Sequence, residues 1–322
     1  FFKQKTAYEI PKRDWSSDVC SSDLGGIQGK TSLQFILKCA QDKTKVFEVG
    51  CGNGFLLKEL HKLGYECTGL EPGPQSNQLK TTCPQIEVIR DFFPTKNVTK
   101  TFDLITHFNV LEHVKNPIDF ILEQKRLLSS NGKIVFGVPN CEPNLLVGDL
   151  SIFLHEHYQY FTADSLFNLA AATGFYIERI EYGANNGMLF CSFVQDNVGL
   201  CKKPNQRWDN FNFEKPLYSL GKELKNYKQN EIGIYCPKRA INSLYLLGIS
   251  DCRFVDDTKG LHGKYMPTFN KPVESFEQFQ ANPPKILVIF SRTFGKEIYQ
   301  KCAQTKAFQN TKICLLQDFD ER

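Results

Sequence analysis

The stretch Val46-Phe47-Glu48-Val49-Gly50-Cys51-Gly52-Asn53-Gly54-Phe55-Leu56 limits what this chain can fold into more than any other. An apolar, β-branched run breaks into three alternating glycines, and an amphipathic segment over 55–63 follows. Strand, tight turn and helix are the expected order. Glycine has no Cβ, so the backbone can turn sharply and offer its amides to a ligand. The helix that follows points its positive end into the same space. The dinucleotide fingerprint Gly-x-Gly-x-x-Gly is built around a pyrophosphate. Here the spacing is Gly-x-Gly-x-Gly, with an acidic residue, Glu48, two positions before the first glycine.

The next segments keep the rhythm of a doubly wound sheet. A second strand over 66–70 ends in Glu71-Pro72, which places a carboxylate about 20 residues past Gly50, the position from which ribose hydroxyls are held in nucleoside-binding folds. A third strand, 86–89, runs into Arg90-Asp91-Phe92, and a fourth, 102–106, leads to Phe108-Asn109-Val110-Leu111-Glu112-His113-Val114. A helix over 117–128, a turn at Ser129-Ser130-Asn131-Gly132 and a fifth strand, 133–138, follow. Thr162 is an N-cap for a helix reaching Ala172, and strands 176–182 and 188–194 close the pattern.

Glu48 with the three glycines resembles motif I of the class I S-adenosylmethionine (SAM) methyltransferases, and the run from Phe108 to Val114 resembles the segment after their fourth strand. The resemblance implies an α/β fold with a Rossmann-like seven-stranded sheet over residues 25–197. It implies SAM as cofactor, held by Glu48, Gly50, Cys51, Gly52, Gly54, Glu71, Pro72, Asp91, Phe92 and Asn109. In that family the acidic residue at the place of Asp91 accepts from the adenine amino group, and the neighbouring apolar side chain packs on the ring.

Residues 1–24 stand apart. Lys3 to Ile10 and Asp14 to Leu24 read as one frame of a sequencing-library adapter, and show neither a signal-peptide core nor a helical stripe. The reading carries the expectation that the natural gene extends upstream. The adapter reading removes as many basic as acidic residues, so the net charge stays +4. Mild, dispersed basicity argues against a nucleic-acid surface and agrees with an anionic small substrate. The 12 cysteines form no Cys-x-x-Cys pair, which reads as reduced thiols in a cytoplasmic protein with no zinc spacing. No run is long enough for a membrane span. A monomer acting on a small molecule is expected, without nucleic acid, membrane or metal.

From Gln195 to about Asn230 the sequence turns polar and reads as a linker, 198–230, with one helix in which Leu217, Leu220, Leu224 and Tyr227 recur at helical spacing. A second βαβ pattern occupies 231–322: strand 231–235, the loop Cys236-Pro237-Lys238-Arg239, helix 240–247, strand 252–255, strand 285–290, helix 295–302 and strand 312–315. This is a smaller Rossmann-like α/β domain without a complete glycine fingerprint. Gly233-Ile234-Tyr235-Cys236-Pro237-Lys238, Phe254-Val255-Asp256-Asp257 and Gly263-Lys264-Tyr265-Met266-Pro267 resemble the C-terminal domain of nucleotide-sugar C-methyltransferases. The stretch Leu154-His155-Glu156-His157-Tyr158-Gln159-Tyr160-Phe161 is similar to the same family's His-Glu-His-x-x-Tyr-Phe.

Methylating carbon requires a carbanion, made by removing a proton beside a ketone, so a base near neutral pKa and a group for the enolate oxygen are needed. Histidine suits the first task. In extended chain His155 and His157 face one side, with Glu156 turned away or used to orient a partner. In the family the glutamate and the following histidine are implicated in catalysis, which carries to Glu156 and His157. A tyrosine usually stands two places before that glutamate; Leu154 replaces it here, leaving Tyr158 or Tyr160 as substitutes. Lys238 and Arg239 at a helix start, with Lys264 and Tyr265, are the expected contacts to a nucleoside-diphosphate sugar. His107 and His113 read as packing. The resemblance also implies an N-terminal zinc domain in complete family members. Two alternatives stay open: an O- or N-methyltransferase of another small metabolite, and a catalytically silent sugar-nucleotide or SAM-binding protein.

Overall fold

The computed structural model describes residues 27–40, 45–154, 156–183, 186–196, 201–203, 212–292 and 294–320. Residues 1–24 and His155 lie outside them. The chain divides into two compact units, one formed by Phe1–Asn140 and Tyr158–Asn205, the other by Cys141–His157 and Gln206–Arg322.

The first unit is built on a seven-stranded sheet of order β3-β2-β1-β4-β5-β7-β6. Its elements in chain order are α1 (Ile27–Cys39), β1 (Lys45–Val49), α2 (Phe55–Lys62), β2 (Glu66–Leu70), α3 (Ser76–Thr82), β3 (Glu87–Ile89), β4 (Phe102–Phe108), α4 (Pro117–Arg126) and β5 (Leu128–Pro139). After α5 (Glu142–Val147), which belongs to the second unit, come α6 (Ala163–Ala172), β6 (Tyr176–Tyr182) and β7 (Met188–Val194). β1 to β5 pair in parallel, and β7 runs antiparallel between β5 and β6. β1 is buried on both faces, which explains its continuous apolar run. The Thr162 hydroxyl accepts the Ser165 amide and starts α6, as its sequence position predicts.

Two local features depart from the sequence reading. The segment Ser129 to Gly132 does not separate a turn from a strand. β5 begins at Leu128, opposite Phe102, and the register then jumps to Lys133 opposite Leu104, so the small polar residues form a bulge inside one long strand. The chain around His157 is also not extended. The His157 amide donates to the Leu154 carbonyl at 3.1 Å, closing a turn, and the Tyr158 and Gln159 amides both donate to the Glu112 carbonyl. Those bonds take up the backbone groups an extended strand would have left for a sheet.

The second unit holds a five-stranded parallel sheet of order β10-β9-β8-β11-β12. It comprises α7 (Glu214–Leu224), β8 (Ile232–Tyr235), α8 (Pro237–Leu246), β9 (Arg253–Val255), β10 (Val273–Glu274), α9 (Phe276–Gln280), β11 (Ile286–Ile289), α10 (Gly295–Gln304) and β12 (Lys312–Leu315). Leu220 and Leu224 of α7 lie in this unit's core beside Ile232, Ile234 and Leu244. The helix foreseen within 198–230 is therefore packed structure. α8 begins at Pro237 rather than at Ala240: Cys236 takes φ 63° as N-cap, and proline fits the first helical position because it has no amide to satisfy. Lys238 and Arg239 thus stand in the first turn of the helix and not in a loop.

Candidate functional site

In the first unit the glycine loop, the end of β2 and the residues after β4 come together. Gly50, Gly52 and Gly54 all have positive φ, at 74°, 52° and 73°. At Gly50 the requirement is double, because a Cβ built there would also stand 2.7 Å from Val110 Cγ2. The loop is held from below by the Gly50 and Cys51 amides, both donating to the Leu70 carbonyl. Glu71 reaches back over it. Its Oε2 accepts the Gly52 amide at 3.0 Å, and its Oε1 accepts the Gly73 amide at 2.7 Å. Each carboxylate oxygen keeps a lone pair, so a diol can still be received there.

Glu48 lies on β1 just before the loop, 2% exposed. Its Oε2 is buried without a hydrogen-bond partner among the described residues. Burial, and then the nearby Glu71 charge, hold this carboxyl well above the ordinary glutamate range. Cys51 is buried beside it, and its thiol is pushed far up by burial. A buried acid with an orphaned oxygen beside a glycine cradle fits the amino-acid end of SAM, which carries an ammonium and a sulfonium. The residues present therefore fit that cofactor.

Asn109 adopts φ 53° at the end of β4, a conformation asparagine tolerates better than most residues, and its amide donates to the Gly137 carbonyl. That turn aims Val110 at Gly50. Asp91 accepts from the Phe92 amide, the Thr95 hydroxyl and the Asn97 side chain, and these bonds hold its carboxyl below the usual range. Its first structural task is to fix the 91–97 turn. Phe92 is 44% exposed, an open aromatic face after β3. Pro72 follows Glu71, and its carbonyl lies 3.5 Å from Arg90 Nε.

His107 is completely buried on β4, stacked on Phe136 at 4.9 Å and edge-on to Phe120 at 5.3 Å. Burial drives its pKa down to about 3, so it stays neutral. It packs, as the sequence reading has it. In the second unit Glu156 is exposed and His157 half-buried; Tyr160, in the first, is half-buried.

The second unit has a cleft of about 330 Å³ lined by Tyr235, Cys236, Asp256, Asp257, Phe294, Glu297, Ile298 and Lys301. It opens at the ends of β8 and β9 and beside α10. The strand order reverses between β8 and β11, the place where open α/β sheets receive ligands. Asp257 Oδ1 accepts Tyr235 Oη at 2.9 Å and Lys301 Nζ at 2.6 Å. Burial and the Asp257 charge push the Tyr235 phenol up. Lys238, Arg239, Lys264 and Tyr265 do not line this cleft; Tyr265 is 62% exposed. Asp257 and Lys301, which line the cleft, are not among the residues the sequence reading singles out as site residues. The pair Asp256-Asp257 at a strand end, about 20 residues after Tyr235, was the available signal.

Residues 29–180 match the family model described as a methyltransferase domain. Among curated proteins it is 26% identical over 162 residues to the mitochondrial ubiquinone biosynthesis O-methyltransferase of Schizosaccharomyces pombe, covering 46% of this chain and 58% of that protein. It is 35% identical over 108 residues to the ubiquinone biosynthesis O-methyltransferase of Glaesserella parasuis, covering 30% and 45%. The chain spans about half the length of the curated relatives it matches. Among solved structures it is similar to a SAM-dependent methyltransferase of Mesorhizobium loti, with TM-score 0.45, 16% identity and coverage of 53% and 99%. Another is the 1,6-didemethyltoxoflavin-N1-methyltransferase of Burkholderia thailandensis with bound S-adenosylhomocysteine, with TM-score 0.43, 16% identity and coverage of 51% and 76%.

Proposed function

We propose that this protein transfers the methyl group of SAM to a small molecule, and that the acceptor is a keto-deoxysugar carried on a nucleoside diphosphate, methylated on carbon. The observation that carries the SAM half is the glycine cradle with Glu71 over it and the orphaned Glu48 oxygen beneath. The acceptor half is supported by the second α/β unit, whose cleft offers the Asp256 and Asp257 carboxylates to hydroxyl groups and the exposed Phe294 ring to a flat face. It is also supported by the His-Glu-His stretch. A base, assigned to His157 with Glu156 supporting it, removes the proton beside the ketone. Bound SAM would supply the methyl group to the enolate carbon so formed, with S-adenosylhomocysteine as the leaving group.

A second reading, methylation of oxygen, is favoured by the names of the curated relatives. One screen separates the two. Methyl-¹³C SAM is offered with a panel of keto-deoxyhexose nucleotides and a panel of catechols, and the product methyl is located by NMR. A carbon-bound methyl from the sugar panel supports the proposal, and an oxygen-bound methyl from the catechol panel replaces it.

A further inference from the structure

The segment Cys141–His157 leaves the first unit's sheet and is fastened into the second by a partly buried ion network. Asp149 is 3% exposed, and its side chain starts a 3-10 turn, Leu150–Ile152, by accepting the Ser151 amide and hydroxyl, each at 2.8 Å. The Asn144 side chain donates to the same carboxylate at 2.9 Å. Arg292, just past β11, donates Nε to Asp149 and both terminal nitrogens to Asp320, each at 2.7 Å. One guanidinium thus joins the segment to the residues after β11 and to Asp320, which follows the 3-10 turn Leu316–Phe319. A few residues on, Asn242 of α8 donates to the Phe153 carbonyl at 2.7 Å, and the Phe153 ring sits 5.6 Å from Phe213. Glu156 and His157 follow at once, the latter in the turn closed on Leu154.

Arg292 is partly buried, and its partner Asp149 is buried, so the pair carries a desolvation cost that its several hydrogen bonds offset. The guanidinium makes bidentate and single bonds to two carboxylates on different segments, a planar fork that lysine cannot reproduce. Asn242 supplies a second, uncharged fastening nearer to His157. We propose that Arg292 and Asn242 are positioning residues for the acceptor chemistry: they hold the segment that carries Glu156 and His157. This rests on the reading above that the His-Glu-His stretch serves the acceptor.

The experiment uses the full chain with Arg292→Met, Arg292→Lys, Asn242→Leu and His157→Asn. SAM affinity is measured by calorimetry, turnover with the acceptor that responds in the screen, and backbone hydrogen exchange over 141–157. Arg292→Met and Asn242→Leu are expected to lower kcat at least tenfold while SAM affinity and acceptor KM stay within about threefold. Exchange should rise in 141–157 and stay unchanged in β8 and β11. Arg292→Lys should recover part of kcat, since it restores the charge without the fork. Asn242→Leu keeps the test valid if Arg292→Met does not fold. Unchanged exchange in 141–157, or raised exchange with normal kcat, overturns the inference. Normal turnover in His157→Asn overturns instead the reading on which it rests.

Discussion

The Glu71 carboxylate accepts the Gly52 amide across 3.0 Å, so the end of β2 holds the loop that follows β1. The same side chain also closes its own turn through Gly73. One residue therefore shapes the cradle and still offers lone pairs to a ribose. Glu71→Ala is expected to weaken SAM binding by about 1 to 3 kcal/mol, the usual cost of stranding polar partners in a site. Glu71→Gln should lose less, because its amide oxygen can still accept from Gly52. Calorimetry giving equal affinities for wild type and Glu71→Ala would remove Glu71 from the site.

Gly50 and Val110 form a contact that no side chain at position 50 can share. Gly50→Ala meets two costs, a left-handed backbone at about 1 to 2 kcal/mol and a clash with Val110 Cγ2. Val110→Ala relieves the second cost and leaves the first. In a double-mutant cycle read by denaturant unfolding, Gly50→Ala should therefore cost less in the Val110→Ala background. Strict additivity would show that the two residues do not touch.

Much of this was legible because it is local. The glycines, Glu71 and the Thr162 cap act within a few residues of themselves or at a fixed spacing along a doubly wound pattern. Pro237 also carried a local sign of the start of α8, which the basic residues beside it obscured. What escaped depends on distant partners. Val110 covers Gly50 only because Asn109 turns left-handed after β4. The turn at Leu154 and His157 follows from amides held by the Glu112 carbonyl, more than 40 residues earlier. β10 has two residues, too few to show a period. Arg292, Asp149 and Asp320 lie far apart in the chain, and no spacing announces them.

His107 has two ring nitrogens buried without hydrogen-bond partners among the described residues. Its folded pKa of about 3 lies below the ordinary 6.5, so the unfolded chain binds the proton more readily. Stability from this residue is complete above pH 6.5 and is lost as pH falls towards 3, at up to about 1.4 kcal/mol per unit. His107→Phe keeps the stack on Phe136 and removes both orphaned nitrogens. It should raise stability by about 1 kcal/mol at neutral pH and flatten the acid limb of the unfolding curve. Parallel acid limbs in the two proteins would mean that His107 is not the group that titrates.

Glu48 titrates in the opposite sense. Its folded pKa is raised, first by burial and then by the Glu71 charge, so folding favours the neutral carboxyl. Stability from this group is fully present below the ordinary 4.5 and is lost as pH rises towards the folded value. Glu48→Gln cannot ionise, so its stability should fall less between pH 5 and 8 than that of wild type. Binding supplies an independent check. A ligand whose ammonium lies near the loop favours the ionised carboxylate, so SAM should release a proton from wild type on binding at pH 7. Titration in buffers of different ionisation heat reads that proton directly. Buffer-dependent heat in wild type and none in Glu48→Gln is the expected result. The same buffer dependence in both proteins would assign the proton to another group and leave Glu48 outside the site.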